Sequence, residues 1–290
     1  MNVTVPLGVG RPEDVPVRDA STVMLLRDGR RGIEVCLMQR NLASDFVGGA
    51  HVFPGGGVDE ADGRPEVEAV CHGLDDAEAS RRLGIDVGGL AFWVAAIRES
   101  FEEAGVLLAR GADGAPLDMA LPGRPDRYAE LRREVDEGRV SMADLALGEG
   151  LHLDVGALHY FSRWITPLGS HRRYDTRFFV AAAPEGQEVT EDRRELIDAQ
   201  WITPSDALRR HDDGEIVLIF PTVRTLVALT RFDRAGDVVD HARMIAEVNA
   251  VLPTVTEAED GTRIVLPGDP EGTGGVYDAW TGRPLDGEGP

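Results

Sequence analysis

Arg98-Glu99-Ser100-Phe101-Glu102-Glu103-Ala104-Gly105-Val106 is the stretch on which the reading of this chain turns. On a helix, positions 99, 102 and 103 are related as i, i+3 and i+4, so three carboxylates crowd one face. Just before it, Trp93, Ile97, Phe101 and Ala104 recur at helical spacings, an apolar stripe within Leu90–Ala104. Gly105 stands where a helix C-cap belongs. The pattern predicts a helix anchored in a core by one face, with negative charge on the opposite one. Like charges so close destabilise a bare helix, and a hard divalent cation offsets that cost by taking oxygen ligands. Arg98 stands four residues before Glu102 and can hold its carboxylate; Ala95 and Ala96, one turn earlier, leave room for something to approach. A Glu-rich helix face is usually a solvated surface. The five fixed positions of R-E-x-x-E-E-x-G, however, arise by chance in such a chain only about once in 1,000.

Upstream, Phe53-Pro54-Gly55-Gly56-Gly57-Val58-Asp59-Glu60-Ala61-Asp62 adds a glycine turn and an acid. Together the two stretches resemble the Nudix box, G-x5-E-x7-R-E-U-x-E-E-x-G-U, with U aliphatic. Gly56 matches its first glycine, and Asp62 replaces its first glutamate with a side chain one methylene shorter. Arg98, Glu99, Glu102, Glu103, Gly105 and Val106 match the second half, with Ser100 where an aliphatic residue is usual. Residues 63–97 stand where the pattern has seven. A surface insertion of that size costs little closure entropy and need not break a site. A box split in this way resembles the Nudix branch that cleaves coenzyme A and acyl-coenzyme A. Other pieces agree: Leu37-Met38-Gln39-Arg40, Phe46, Trp164-Ile165-Thr166-Pro167, the run from Arg173 to Phe179, and Phe220-Pro221-Thr222. The resemblance covers roughly residues 18–235.

The resemblance implies a site position by position. Glu99 and Glu103 would be the main ligands of Mg²⁺ or Mn²⁺, with Glu102 a third ligand or a water-mediated partner. The backbone carbonyl at Gly55 or Gly56 would also reach the metal, and Arg98 would orient a glutamate. Glu195, six residues before Trp201, is the candidate for a further acid. The general base stays open between a box glutamate and a loop residue. The implied substrate is coenzyme A or an acyl ester. ADP-ribose, NADH or dinucleoside polyphosphates are the nearest rivals, and a non-catalytic Nudix-fold regulator is the rival from another class.

Composition sets a constraint on any such substrate. The chain carries 30 basic against 51 acidic residues, a net charge of −21, so its surface repels nucleic-acid backbones and anionic membranes. It would repel a phosphorylated small molecule too, unless a local basic patch and a metal offset the field. Arg163, Arg172, Arg173 and Arg177, with His171 among them, are candidates for that patch. Tyr174 is a candidate for stacking on a base, and Arg40 is a further substrate contact. The expected partner is a small-molecule phosphoanhydride, with a homodimer as a possible assembly, and no nucleic acid or membrane. No signal peptide or membrane-length apolar run is visible, which suggests a cytoplasmic protein. Cys36 reads as a buried free thiol.

Hydrophobic residues at 42% and charged ones at 28% describe an ordinary globular chain. Ser21–Leu26 and Ile33–Met38 read as a hairpin, and His51-Val52-Phe53 as a short strand. Further strands are expected at Leu158–Ile165, Arg177–Ala182 and Gln200–Ile202. Helices are expected near Asp75–Leu83, around Tyr128, Leu131 and Val135, and from Ser141 and Asp144. Others should run from Ser205 to Arg210, from Pro221 through Val223, Leu226 and Val227, and along Val238, Ala242, Ile245 and Val248. Only Ile264–Leu266 suggests a strand in the tail. This order predicts an α+β fold, an αβα sandwich with a mixed central sheet and helical insertions. The organisation expected is an N-terminal extension at 1–17, a domain at 18–250 with insertions at about 63–89 and 111–150, and a tail at 251–290.

Overall fold

The strand that organises the molecule is β1 (Val17–Gly29), whose run Val23-Met24-Leu25-Leu26 is apolar at consecutive rather than alternate positions. A strand of that kind has to be covered on both faces. In the computed structural model, which describes residues 15–42, 48–190, 196–259, 261–267, 275–279 and 281–285, it is. Val23 and Leu25 join one core cluster, while Met24 and Leu26 join another on the far side of the sheet. The layered α+β architecture expected from the sequence is therefore the one found.

In chain order, β1 turns at Arg30-Arg31 into β2 (Gly32–Arg40), followed by β3 (Ala50–Val52) and β4 (Gly55–Gly57). The first insertion holds α1 (Pro65–Glu68) and α2 (Asp76–Leu83), then comes the long α3 (Leu90–Ala104). After it come β5 (Ala109–Gly111), α4 (Arg124–Asp136), α5 (Met142–Glu149) and β6 (Leu151–Leu153), the two helices falling in the second stretch expected to be inserted. Then follow β7 (His159–Ile165), β8 (Arg173–Ala182), β9 (Leu196–Ile202), α6 (Pro204–Asp212), β10 (Val217–Leu218), α7 (Phe220–Leu229) and α8 (Ala235–Met244). The chain ends in β11 (Ala250–Val251), β12 (Thr254–Ala258), β13 (Gly261–Val265) and β14 (Val276–Asp278).

The main sheet runs β10-β3-β2-β1-β8-β7-β11, with β4 added to β1 and β9 to β2. It is mixed: β1 pairs antiparallel with β2 and β4 but parallel with β8, from Val17↔Arg173 to Leu26↔Ala182. One face carries α3 and both insertions. Val67, Val70, Leu74, Leu83, Tyr128, Leu131, Val135 and Leu145 all belong to the same apolar cluster as Trp93 and Phe179. The other face carries α7 and α8, through Val223, Leu226, Leu229 and Val238. No helix among the described residues is long and apolar enough to cross a membrane.

Several elements differ from the sequence expectation for identifiable reasons. β8 begins at Arg173, not Arg177, because its polar start pairs with the equally polar start of β1 and is held there by an Arg177–Asp19 ion pair at 2.9 Å. Helix α6 starts before Ser205: Thr203 caps it, Pro204 takes the first helical position, and the Thr203 hydroxyl accepts the Asp206 N–H at 3.1 Å. In α7, Val227 faces outward, and α8 ends before Ile245 and Val248. The tail forms a three-stranded sheet, β12-β13-β14, where one strand was expected. Ile264 and Tyr277 seat it on Phe220 and Trp164.

Candidate functional site

Helix α3 forms where the apolar period places it, and Gly105 closes it with φ of 70°, as the C-cap expectation required. Trp93 fixes its middle: the indole is fully buried, donates to the Leu158 carbonyl at 3.1 Å and lies 4.7 Å from the Phe179 ring. The expectation of one buried and one open face is corrected. Every residue of the helix except Glu102 is buried, because α2, α4 and α5 close over the side the sheet does not reach. The room expected beside Ala95 and Ala96 is filled; both are fully buried.

The acidic residues do not face open water. They meet the glycine turn. The Gly55 N–H donates to Glu103 Oε2 at 2.7 Å, joining the two halves of the motif across the first insertion. A Cβ on Gly56 would lie 2.5 Å from Glu99 Oε1, so the carboxylate fills the place of the missing side chain. Gly55 is equally constrained, since a Cβ there would meet the Ser21 carbonyl oxygen at 2.6 Å.

Arg98 ties the cluster together. Its Nε donates to Asp62 Oδ1 at 3.0 Å, and its Nη2 to Asp62 Oδ2 at 3.0 Å and to the Gly57 carbonyl at 2.6 Å. Its Nη1 donates to both Glu99 Oε1 at 2.8 Å and Glu102 Oε2 at 2.9 Å. Asp62 is long enough after all: a tight turn at Glu60–Gly63, closed by the Asp59 N–H on Asp62 Oδ2 at 2.9 Å, brings its shorter side chain to the guanidinium.

Burial dominates the electrostatics. Desolvation pushes Glu99 up to about 8 and Glu102 up to about 7, with Arg98 as the largest opposing influence. Asp62 is also raised by burial, against the pull of Arg98. Burial opposes the charge on Arg98, but the surrounding carboxylates outweigh it and hold the group firmly protonated.

Among the described residues, no three His, Cys, Asp or Glu side chains already stand as a metal-ligating cluster. The donors present nevertheless fit a hard divalent cation. Glu99 Oε2 and Glu102 Oε1 accept no hydrogen bond among the described residues, although each partner oxygen is fixed by Arg98. Two incompletely satisfied carboxylates beside a backbone turn make an oxygen-only donor set. Glu195 and Phe46 lie outside the described residues.

Next to the glycine turn is a cavity of about 550 Å³ lined by Arg18, Asp19, Gly57, Val58, Asp59 and Tyr174. Tyr174, the candidate for stacking on a base, lines it together with Arg18, which carried no motif to flag it. Arg18 and Tyr174 are register partners on β1 and β8. The basic cluster is not assembled as one open patch. Arg163 forks onto Asp175 at 2.9 and 2.6 Å, and Arg177 is buried between Asp19, Asp175 and the Phe92 ring, 4.2 Å from its centroid. Arg173 is buried on the Thr166 carbonyl, whereas Arg172 is exposed. Arg40, at the end of β2, is half-buried, and its Nε has no hydrogen-bond partner among the described residues. Phe178 packs edge-on to Phe53 in the core.

Comparison with known proteins agrees with this geometry. The family model described as the NUDT19 Nudix domain matches residues 74–229. Acyl-coenzyme A diphosphatase NUDT19 of Homo sapiens is 32% identical over 269 residues, spanning 82% of this chain and 72% of that protein. Its Gallus gallus counterpart is 30% identical over 299 residues, spanning 87% of this chain and 79% of that protein. A solved NUDIX hydrolase from Alicyclobacillus acidocaldarius superposes with a TM-score of 0.63 at 29% identity, covering 78% of this chain and 97% of that one. A divided acidic box closed around Arg98, on a mixed sheet with these relatives, means that the chain belongs to the NUDT19-type Nudix hydrolase family.

Proposed function

We propose that this protein hydrolyses the phosphoanhydride bond of coenzyme A or an acyl-coenzyme A, releasing phosphopantetheine or its acyl form and 3′,5′-ADP. The observation that carries the reading is the Gly55–Glu103 hydrogen bond at 2.7 Å, which seats the glycine turn against the acidic helix despite the residues inserted between them. The relatives named as acyl-coenzyme A diphosphatases support the substrate class.

Glu99, Glu102 and Glu103, with the backbone carbonyl of Gly56, would hold Mg²⁺ or Mn²⁺. The ion, when bound, polarises the phosphoryl oxygens and lowers the pKa of the attacking water. The chain's own groups do the rest. Arg98 fixes Glu99 and Glu102 in one geometry and is itself fixed by Asp62 and the Gly57 carbonyl, so the carboxylates need little reorganisation when the substrate arrives. The cavity beside Gly57 has the volume of a small-molecule site. Arg18, Arg40 and Arg172 contact phosphates in this reading, and Tyr174 offers its ring to the base. Arg163, Arg173 and Arg177 serve by holding the β7–β8 frame.

Kinetics of the purified protein on coenzyme A, acyl-coenzyme A, ADP-ribose, NADH and diadenosine polyphosphates test the proposal. Coenzyme A or its esters should give the highest kcat/KM; a clear preference for any of the last three would overturn the substrate assignment. Glu103→Gln should lower metal-dependent release of 3′,5′-ADP about 10³-fold while leaving the far-ultraviolet circular dichroism unchanged. Unaltered turnover in that variant removes Glu103 from the site.

A further inference from the structure

Helix α3 ends with an electrostatic problem. Its last turn carries Glu102 and Glu103 and no basic residue. The C-terminus of a helix is the negative end of its dipole, the wrong place for two carboxylates. The last four carbonyls of a helix also have no partner within it. Each of the four is nevertheless satisfied. The Phe101 carbonyl accepts the Gly105 N–H at 3.1 Å, and the Ala104 carbonyl accepts the Thr190 N–H at 3.0 Å. The other two accept from one side chain in the second insertion: Arg132 Nε donates to the Glu102 carbonyl and Nη2 to the Glu103 carbonyl, both at 2.8 Å.

We propose that Arg132 is a positioning residue for the reaction, acting from α4 through the backbone of Glu102 and Glu103. It supplies the cation that the helix end lacks and fixes the two peptide units whose side chains face Arg98 and Gly55. The contact is built rather than incidental. Arg132 Nη1 donates to Thr190 Oγ1, and Nη2 also donates to the Thr190 carbonyl, both at 2.9 Å. Thr190 thereby lashes the segment that follows β8 to the same helix end. Gly105 makes room: a Cβ there would stand 2.7 Å from Thr190 Oγ1 and 3.0 Å from Arg132 Nη1. Gln187 completes the clamp by bonding the Leu107 backbone through both ends of its amide, at 2.9 and 3.0 Å.

The inference rests on the proposed hydrolase reading but is tested through metal binding, which needs no turnover. Mn²⁺ affinity is measured by electron paramagnetic resonance on wild type and Arg132→Ala, with circular dichroism to confirm the fold. The variant should bind Mn²⁺ about tenfold more weakly and lose about 10²-fold in kcat with KM within threefold, as sub-ångström misplacement of catalytic groups predicts. Millimolar guanidinium should restore part of both, an effect that general destabilisation would not produce. Should Arg132→Ala fail to fold, Arg132→Lys serves. A single ammonium cannot fork across two carbonyls, so its Mn²⁺ affinity should fall at least about threefold. A folded variant with wild-type Mn²⁺ affinity and kcat overturns the inference. Wild-type protein that binds Mn²⁺ but cleaves none of the phosphoanhydrides, with binding weakened in Arg132→Ala, upholds the positioning of the Glu102 and Glu103 carboxylates by Arg132 and overturns the hydrolase reading instead.

Discussion

At the scale of single residues, the site depends on a backbone position with no side chain. Glu99 occupies the space a Cβ would take on Gly56, and the oxygen nearest that position, Oε1, is the one Arg98 holds, so it has nowhere to retreat. Gly56→Ala should therefore cut metal-dependent turnover by about 10²-fold. Its unfolding free energy should fall by about 1–3 kcal/mol, the cost of an overpacked position, and the variant should stay folded. Near-normal turnover would mean that Glu99 is not held in this place. The raised carboxylates give a second expectation. The native state holds protons on Glu99 and Glu102 that the unfolded chain has already lost, so without metal its stability falls as pH rises from about 5 through the range of 7 to 8. A bound cation needs both groups ionised, so Mg²⁺ affinity should climb as pH rises over the same range. The gain is about tenfold per pH unit while one proton is displaced. Calorimetric titration at pH 6, 7 and 8.5 checks this, and a flat profile contradicts it.

At the scale of elements, the two insertions are parts of the core. Tyr128, Leu131 and Val135 lie along one face of α4 against the cluster that holds Trp93. Leu131→Ala should then cost about 3 kcal/mol in unfolding free energy, as for a buried leucine, where a substitution in a mobile lid would cost about 0.5 or less. Much of this level was legible in the chain. The acidic helix was readable to its last residue because a long apolar period, a cap glycine and a specific motif all agree. The capping pair Ser141 and Asp144 likewise announced α5. Other features left no local trace. The acidic, glycine-rich composition of the insertions hides the few apolar residues that bury the far side of α3. The polar start of β8 owes its extended form to a neighbour far off in sequence. Arg132 has no motif, and its role exists only where α4 crosses the end of α3.

At the scale of the whole molecule, the sheet separates two tasks. The cluster behind α3 supports the acidic box, and the cluster under α7 and α8 makes the opposite layer, with β1 shared between them. The fold class could be read from strand and helix order, whereas the tail sheet could not, because its strands are short and isolated by glycine, proline and acid. The parallel pairing of β1 with β8 reaches further. On the ribosome β1 is made long before its parallel neighbour, since the residues that flank Leu25 and Leu26 are Ala181 and Ala182. Until then, one of the most water-averse ribbons in the protein has an open edge, a known invitation to wrong partners. Pairings so distant in sequence also slow the search for the native state. The nascent protein thus passes through a long interval in which chaperones, and the speed of translation itself, govern how much of it survives to fold.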